Sequence, residues 1–306
     1  MNHLIAIVGP TGIGKSKLAI RLAQTFNGEI VSADSRQVYR YLDIGTAKPT
    51  LEELSLAPYH LINIVNPDED FSLAQYQELA CRAIEDIQQR NKLALLVGGS
   101  GLYVWSVLEG WGIPPVPPDL EFRHSLEEKA ATVGKDELYQ ELAEIDPVVA
   151  QRIDRRNVRR VIRALEVHRG TGTPFSQLQN KKTLLINTLV VGLTADRAEL
   201  YRRIDSRVDE MIKQGLVAEV ERLMNMGYSL NLPAMSGIGY KEIGMFLRGE
   251  LTLAAAIQQI KFETHRLVRH QYAWFKLNDD RIRWFGMQNK VDSDITALLA
   301  EFTRMQ

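Results

Sequence analysis

His3-Leu-Ile-Ala-Ile-Val8, Gly9-Pro10-Thr11-Gly12-Ile13-Gly14-Lys15-Ser16 and Lys17-Leu-Ala-Ile-Arg-Leu-Ala-Gln-Thr-Phe26 follow one another without a gap, and their reading decides the fold. The first is a short, wholly apolar run, the pattern of a strand buried on both faces of a parallel sheet. The last has helical spacing at Leu18, Leu22 and Phe26, and Asn27-Gly28 punctuates its end. Glu29–Ala33 is a second apolar strand, so the order is strand, loop, helix, strand: a βαβ unit.

The loop between them matches G-x-x-x-x-G-K-[ST] in full, with the strand before it and the helix after it that the motif requires. Glycines let backbone N–H groups converge on phosphate oxygens, and the helix N-terminus adds partial positive charge. Lys15 supplies a point charge, and the Ser16 hydroxyl is suited to Mg²⁺. Gly9, Pro10, Thr11, Gly12, Ile13, Gly14, Lys15 and Ser16 are therefore the expected diphosphate or triphosphate cradle. The motif does not distinguish the two ligands.

Further strands follow at Leu93–Val97 and Thr188–Leu193, and helices at Ser72–Arg90, with Ser72 as N-cap, and Leu253–Lys276. Ser206–Met226 reads as one amphipathic helix opened by a Ser206-x-x-Asp209 capping box and closed by Gly227. Asn278–Ser293 carries no clear pattern. Gly110–Pro118 holds four of the eleven prolines, and the pattern from Asp119 to about Gly170 is helical. The expected fold is an α/β P-loop nucleoside-triphosphate-hydrolase-like parallel sheet flanked by helices. Residues 1–113 and 188–306 form the core, and 114–187 a mostly helical insertion.

Composition narrows the class. The chain has 306 residues, Lys+Arg 37 against Asp+Glu 38, and one cysteine. A globally basic nucleic-acid binder, a disulfide framework and a cysteine-rich zinc site are excluded. No apolar run reaches the roughly 18 residues that span a bilayer. Neither a membrane segment nor a secretory signal is expected, and a cytoplasmic location is. Cys81 reads as packing, and His60, His124 and His168 lack metal-like spacing.

Strand Leu93–Val97 ends in Gly98-Gly99-Ser100-Gly101 rather than in the acid that commonly holds magnesium in phosphoryl-transfer enzymes. Strand Glu29–Ala33 does run into an acid, Asp34. Parallel strands end at the same edge as the phosphate loop, so Asp34 should face the phosphates as a metal ligand or as a general base. A surface or capping aspartate is the alternative.

Gly9–Ser16, Asp34-Ser35-Arg36-Gln37-Val38-Tyr39, Asp43-Ile44-Gly45-Thr46-Ala47-Lys48-Pro49 and Gly98-Gly99-Ser100-Gly101-Leu102-Tyr103 together resemble the tRNA dimethylallyltransferases, also called tRNA isopentenyltransferases. Arg207-Val208 before Gly215-Leu216, Gly239-Tyr240-Lys241, and Arg269-His270-Gln271 with Trp274 extend the likeness over about residues 4–276. The resemblance implies transfer of a dimethylallyl group from its diphosphate to N6 of the adenosine immediately 3′ of the anticodon. It implies Asp34 as the base, Thr11 and Ser100 as orienting hydroxyls, Arg207 on the departing diphosphate, and Mg²⁺ at Ser16. It also implies tRNA contacts at Asp34, Ser35, Arg36, Gln37, Ser100, Arg123, Arg159, Arg160, Val161, Ile162, Arg163, Gly239, Tyr240, Lys241, Arg269, His270, Gln271 and Trp274. Members of that family usually have Thr where this chain has Ser100, and Lys/Arg-Arg-Gln where it has Arg269-His270-Gln271. One cysteine leaves no room for the zinc finger of eukaryotic relatives, so the chain resembles the bacterial type.

Two basic faces suit RNA. Gln151–Gly170 holds seven arginines, and Arg156, Arg159, Arg160 and Arg163 share one helical face with no acidic neighbour except Glu166. Lys261, His265, Arg269, Tyr272 and Lys276 share another, near Trp274 and Phe275. Cations among aromatics fit phosphate contact with base stacking, although Trp274 fits a core position equally well. The expected partners are the tRNA anticodon stem-loop and dimethylallyl diphosphate, with no membrane and no obligate protein partner, the chain being a monomer. Rival functions are an adenylate isopentenyltransferase, a small-molecule P-loop kinase, and a non-catalytic NTP-binding regulatory module.

Overall fold

The computed structural model describes residues 3–114, 116–178, 187–287 and 291–304. The chain forms two compact units, 1–108 with 185–306, and 109–184. The expected boundaries at 113/114 and 187/188 lie within a few residues of these.

The larger unit opens with β1 (His3–Val8), α1 (Lys15–Thr25), β2 (Gly28–Ser32), α2 (Leu51–Leu56), β3 (Tyr59–His60), α3 (Leu73–Gln89), β4 (Leu93–Gly98) and α4 (Gly101–Leu108). The smaller unit holds α5 (Leu120–Thr132), α6 (Lys135–Ile145), α7 (Pro147–Ala150), α8 (Val158–Thr171) and α9 (Phe175–Leu178). The larger unit resumes with β5 (Asn187–Thr194), α10 (Arg197–Lys213), α11 (Leu216–Asn225), α12 (Tyr240–Leu247), α13 (Leu253–Trp274), β6 (Ile282–Gly286) and α14 (Val291–Arg304).

Six strands form one parallel sheet in the order β3-β2-β4-β1-β5-β6. Ile5 pairs with Leu95 and Leu189, and Ile7 with Val97 and Val191. Every residue of β1 and β4 is buried, which is why both read as unbroken apolar runs rather than alternating ones. α1 lays Leu18, Ala19, Leu22 and Ala23 on Ile5, Ile7, Leu95 and Leu193. A fully buried leucine contributes roughly 1.5–3 kcal/mol there. Parallel pairing brings the ends of β1, β2 and β4 to one edge, so Gly9, Asp34 and Gly99 become neighbours. The edge is tight: a Cβ on Gly98 would lie 2.1 Å from the Ala33 carbonyl oxygen.

The Ser72 cap is present: its hydroxyl accepts from Gln75 N–H, and Gln75 Oε1 accepts from Ser72 N–H. Ser206–Met226 is not one helix. α10 starts nine residues earlier, at Arg197, capped by Asp196, whose carboxylate accepts from Ala198 and Glu199 N–H, and it stops at Lys213. Gly215, at φ +102°, turns the chain into α11, and Ser206 is an exposed mid-helix residue. A glycine in the left-handed region ends one helix and starts another, which apolar periodicity alone does not register. The segment without a clear pattern contributes the edge strand β6, paired to β5. Among the described residues, no helix is long and apolar enough to cross a membrane.

The smaller unit has its own core, in which Leu126, Leu138, Leu142, Val149, Val161, Ile162 and Leu165 pack together. Asn157 caps α8 on Arg160 N–H, and Gly172 at φ +67° ends it.

Candidate active site

Gly9 leaves β1 at φ +139°, with room for no Cβ: one would lie 2.5 Å from the Leu193 carbonyl oxygen. Gly14, at φ +100°, opens α1 without a side-chain cap, so the first-turn N–H groups stay available to an anion. Lys15 Nζ curls over the loop and donates to Gly9 O at 2.9 Å and Pro10 O at 2.8 Å. Burial pulls its ammonium down from 10.5 to about 8; Asp34 opposes the shift and Arg207 adds to it. Ser16 Oγ is exposed at the second position of α1 and has no hydrogen bond among the described residues. A hydroxyl of this kind, beside a diphosphate cradle, fits a hard cation that takes its remaining ligands from phosphate and water.

A cavity of about 430 Å³ opens at this strand edge, lined by Thr11, Asp34, Ser100, Arg207, His270 and Trp274. Ile204, Val208 and Met211 from α10 and Ile260 and Leu267 from α13 give it an apolar side. Asp34 Oδ1 accepts from Arg36 N–H at 2.8 Å, which fixes the carboxylate at the mouth of β2. Ser100 Oγ accepts from Ser35 N–H at 3.0 Å and lies 3.3 Å from Ser35 Oγ. Arg207 forms no ion pair or hydrogen bond among the described residues. Burial holds its guanidinium below the ordinary value, and Asp34 works the other way. Asp34 is thus the acidic group near two cations whose charge burial penalises, Arg207 in the cavity and Lys15 in the loop beside it.

The Asp43–Pro49 segment forms a strap beside the cavity, to which Gly45 and Thr46 contribute. Glu219 of α11 holds it. The buried carboxylate accepts from Asp43 N–H at 3.1 Å, Ile44 N–H at 2.9 Å and Gly45 N–H at 3.3 Å. Lys48 Nζ pins the other end, donating to Tyr39 O at 2.5 Å, Asp43 Oδ1 at 2.8 Å and Asn63 Oδ1 at 2.6 Å. Gln37 Nε2 donates to the Thr46 and Ala47 carbonyls, and its Oε1 accepts from Ser32 Oγ. The Arg36 guanidinium reaches the Pro233 carbonyl at 2.5 Å and Ser236 Oγ at 3.3 Å. Neither Glu219 nor its role shows in the sequence, where a glutamate on an amphipathic helix reads as a solvent-facing residue.

Several residues expected at the RNA are buried, and Gly239, Tyr240 and Gln271 among them line the cavity. Tyr240 is 1 % exposed and its ring packs on Gly45. Gln271 is buried and bonded to the phosphate loop. Gly239 turns the chain at φ +96°, its N–H donating to Glu242. Lys241 and Lys276 are exposed. Trp274 lines the cavity against Gly101, where a Cβ would meet its ring at 2.2 Å, so it is a wall of the site rather than buried core. The basic face of α13 is largely turned to α10: Lys261 pairs with Asp209 at 2.7 Å, His265 Nε2 lies 2.9 Å from Asp205 Oδ1 without a hydrogen bond between them, and Arg269 donates to Tyr201 Oη at 3.3 Å.

In the smaller unit, Val161 and Ile162 are core, which corrects their expected place on the RNA. Arg156 precedes α8 and pairs with Asp154 at 2.9 Å, so it is not on the helical face. Glu166, 2 % exposed, receives Arg123 Nε at 2.7 Å, Arg163 Nη1 at 2.6 Å and Asp119 N–H at 2.8 Å. Arg123 and Arg163 thus serve a buried carboxylate. Arg159 and Arg160 are the exposed cations of the stripe, with no ion pair among the described residues.

Residues 37–278 match the IPP transferase family model. The tRNA dimethylallyltransferase of Dehalococcoides mccartyi is 48% identical over 299 residues, 98% of this chain and 92% of that one. That of Roseiflexus sp. strain RS-1 is 53% identical over 276 residues, 90% of each chain. Among solved structures, the full-length tRNA isopentenylpyrophosphate transferase of Bacillus halodurans is similar, with TM-score 0.73 and 40% identity, over 99% of this chain and 97% of that one. A eukaryotic dimethylallyltransferase acting on tRNA matches with TM-score 0.82 and 27% identity, over 99% of this chain and 79% of that one.

Proposed function

The chain belongs to the IPP transferase family, and on that premise we propose that it moves a dimethylallyl group from dimethylallyl diphosphate to N6 of the adenosine immediately 3′ of the anticodon in tRNA. The observation that carries this reading is one cavity beside the phosphate loop that brings Asp34 and Arg207 together with an apolar side. A phosphate loop by itself would fit a kinase as well; an alkyl donor further needs a surface for its hydrocarbon.

The diphosphate lies on the N–H groups of the Gly12–Ser16 part of the loop, and its prenyl carbon points into the cavity. N6 attacks that carbon, the carbon–oxygen bond breaks, and the bonding pair leaves on the diphosphate. Asp34 takes the proton released by N6. Lys15 and Arg207 offset the charge that grows on the leaving oxygen, in a site where burial makes each worth more than in water. Thr11 and Ser100 orient the reacting groups from the two sides. When bound at Ser16, Mg²⁺ neutralises phosphate charge.

An adenosine stacked in the anticodon loop cannot reach this edge, so it flips out into the cavity. The Asp34–Gln37 turn receives it, Trp274 and His270 bound the opening, and Arg159 and Arg160 contact the RNA backbone. The enzyme works in the cytoplasm as a monomer. Incubation with labelled dimethylallyl diphosphate and either tRNA or AMP tests the reading: label in tRNA alone supports it. Label in AMP alone, or none in either, refutes it.

A further inference from the structure

Gln271, expected at the RNA, lines the cavity and is bonded to backbone on both sides. It lies on α13, 7 % exposed, with both ends of its carboxamide engaged. Oε1 accepts from the Thr11 N–H of the phosphate loop at 2.8 Å. Nε2 donates to the Gly99 carbonyl, past the end of β4, at 3.2 Å. The orientation of the amide follows from its partners, since a backbone N–H can only donate and a carbonyl can only accept. The fit also requires glycine at 99, where a Cβ would lie 2.3 Å from Nε2.

These two partners stand on opposite sides of the reaction. Thr11 belongs to the diphosphate cradle. Gly99 leads into Ser100, whose hydroxyl accepts from Ser35 N–H, and Ser35 follows Asp34. One neutral side chain therefore ties the peptide that carries the donor to the peptide chain that carries the acceptor's base.

We propose that Gln271 is a positioning residue that fixes the distance between the phosphate loop and the Asp34–Ser100 side of the cavity. It acts through the two peptides that it holds. It sets how closely the prenyl carbon and the attacking nitrogen approach, so its loss acts on the chemical step and leaves both binding steps nearly intact. A misplacement of about 1 Å at a reacting centre costs on the order of 10²-fold in rate. The inference rests on the dimethylallyl transfer proposed above.

Gln271→Met keeps the length and removes both bonds; Gln271→Asn keeps the chemistry but is one methylene too short to span both partners. Neither adds charge near the diphosphate. For each folded variant, below its melting temperature, kcat at saturating tRNA and dimethylallyl diphosphate is compared with separate affinities for tRNA and for inorganic pyrophosphate. The expected result is a loss of kcat on the order of 10²-fold in both variants, with both affinities close to wild type. A fall in tRNA affinity with kcat restored at saturation would make Gln271 an RNA contact and overturn the proposal. So would activity that merely tracks the folded fraction. Failure of the wild type itself to label tRNA would instead overturn the parent function.

Discussion

The Tyr240 hydroxyl donates to Glu219 Oε1 at 2.6 Å, and this pair joins α12 and α11 under the strap beside the cavity. Burial and the adjacent carboxylate push the phenol far above its ordinary value of 10.0, so it stays a donor at every working pH. Three consecutive strap N–H groups complete the shell of the carboxylate. A buried charge is tolerable here because its acceptor sites are filled.

Glu219→Ala should therefore leave three N–H groups and one hydroxyl without a partner and destabilise the fold by about 2–4 kcal/mol, while Tyr240→Phe should cost about 1 kcal/mol. Urea unfolding measures both. A cost for Glu219→Ala no larger than that for Tyr240→Phe would mean that the strap N–H groups find other acceptors.

Asp34→Asn should lower kcat by roughly 10²–10⁴-fold, the range for a positioned base. Affinity for inorganic pyrophosphate should change little. If that affinity collapses with turnover, Asp34 serves a metal instead of the proton.

The Lys15 ammonium, lowered by burial to about 8, is charged below that pH and neutral above it. A bound diphosphate favours the charged form, so its affinity should weaken as pH rises from about 7 through 8 and beyond. Lys15→Met should weaken binding and flatten that dependence. The stability sign runs the other way: between about 8 and 10.5 the unfolded chain holds a proton that the folded one lacks, so stability gains with rising pH in that window. Pyrophosphate titrations across pH check the binding arm; a slope unchanged in Lys15→Met assigns it to another group.

Arg159→Gln with Arg160→Gln should reduce the log–log salt slope of tRNA binding by about 1.4–1.8, at 0.7–0.9 per phosphate contact. Arg163→Gln should behave differently, because it strips a partner from the buried Glu166 and lowers thermal stability instead. tRNA affinity over a salt series separates them. An unaltered slope in the double variant makes the pair a solvated face.

The βαβ start, the phosphate loop, the apolar strands and the helical insertion were legible in the sequence, because each depends on residues a few positions apart. Period, glycine spacing and caps such as Ser72 are local physics. The sequence also placed Asp34 at the strand edge, since parallel pairing dictates which ends meet. What the polar side chains do is set by long-range packing instead. Gln271 meets Thr11 across 260 residues, and Glu219 meets Asp43 across 176. Lys261, His265 and Arg269 looked like one cationic face until α10 brought Asp209, Asp205 and Tyr201 against them. A charge pattern on one helix leaves open whether solvent, nucleic acid or a neighbouring carboxylate answers it. That choice depends on which helix packs opposite, and packing is fixed by the apolar faces rather than by the charges themselves.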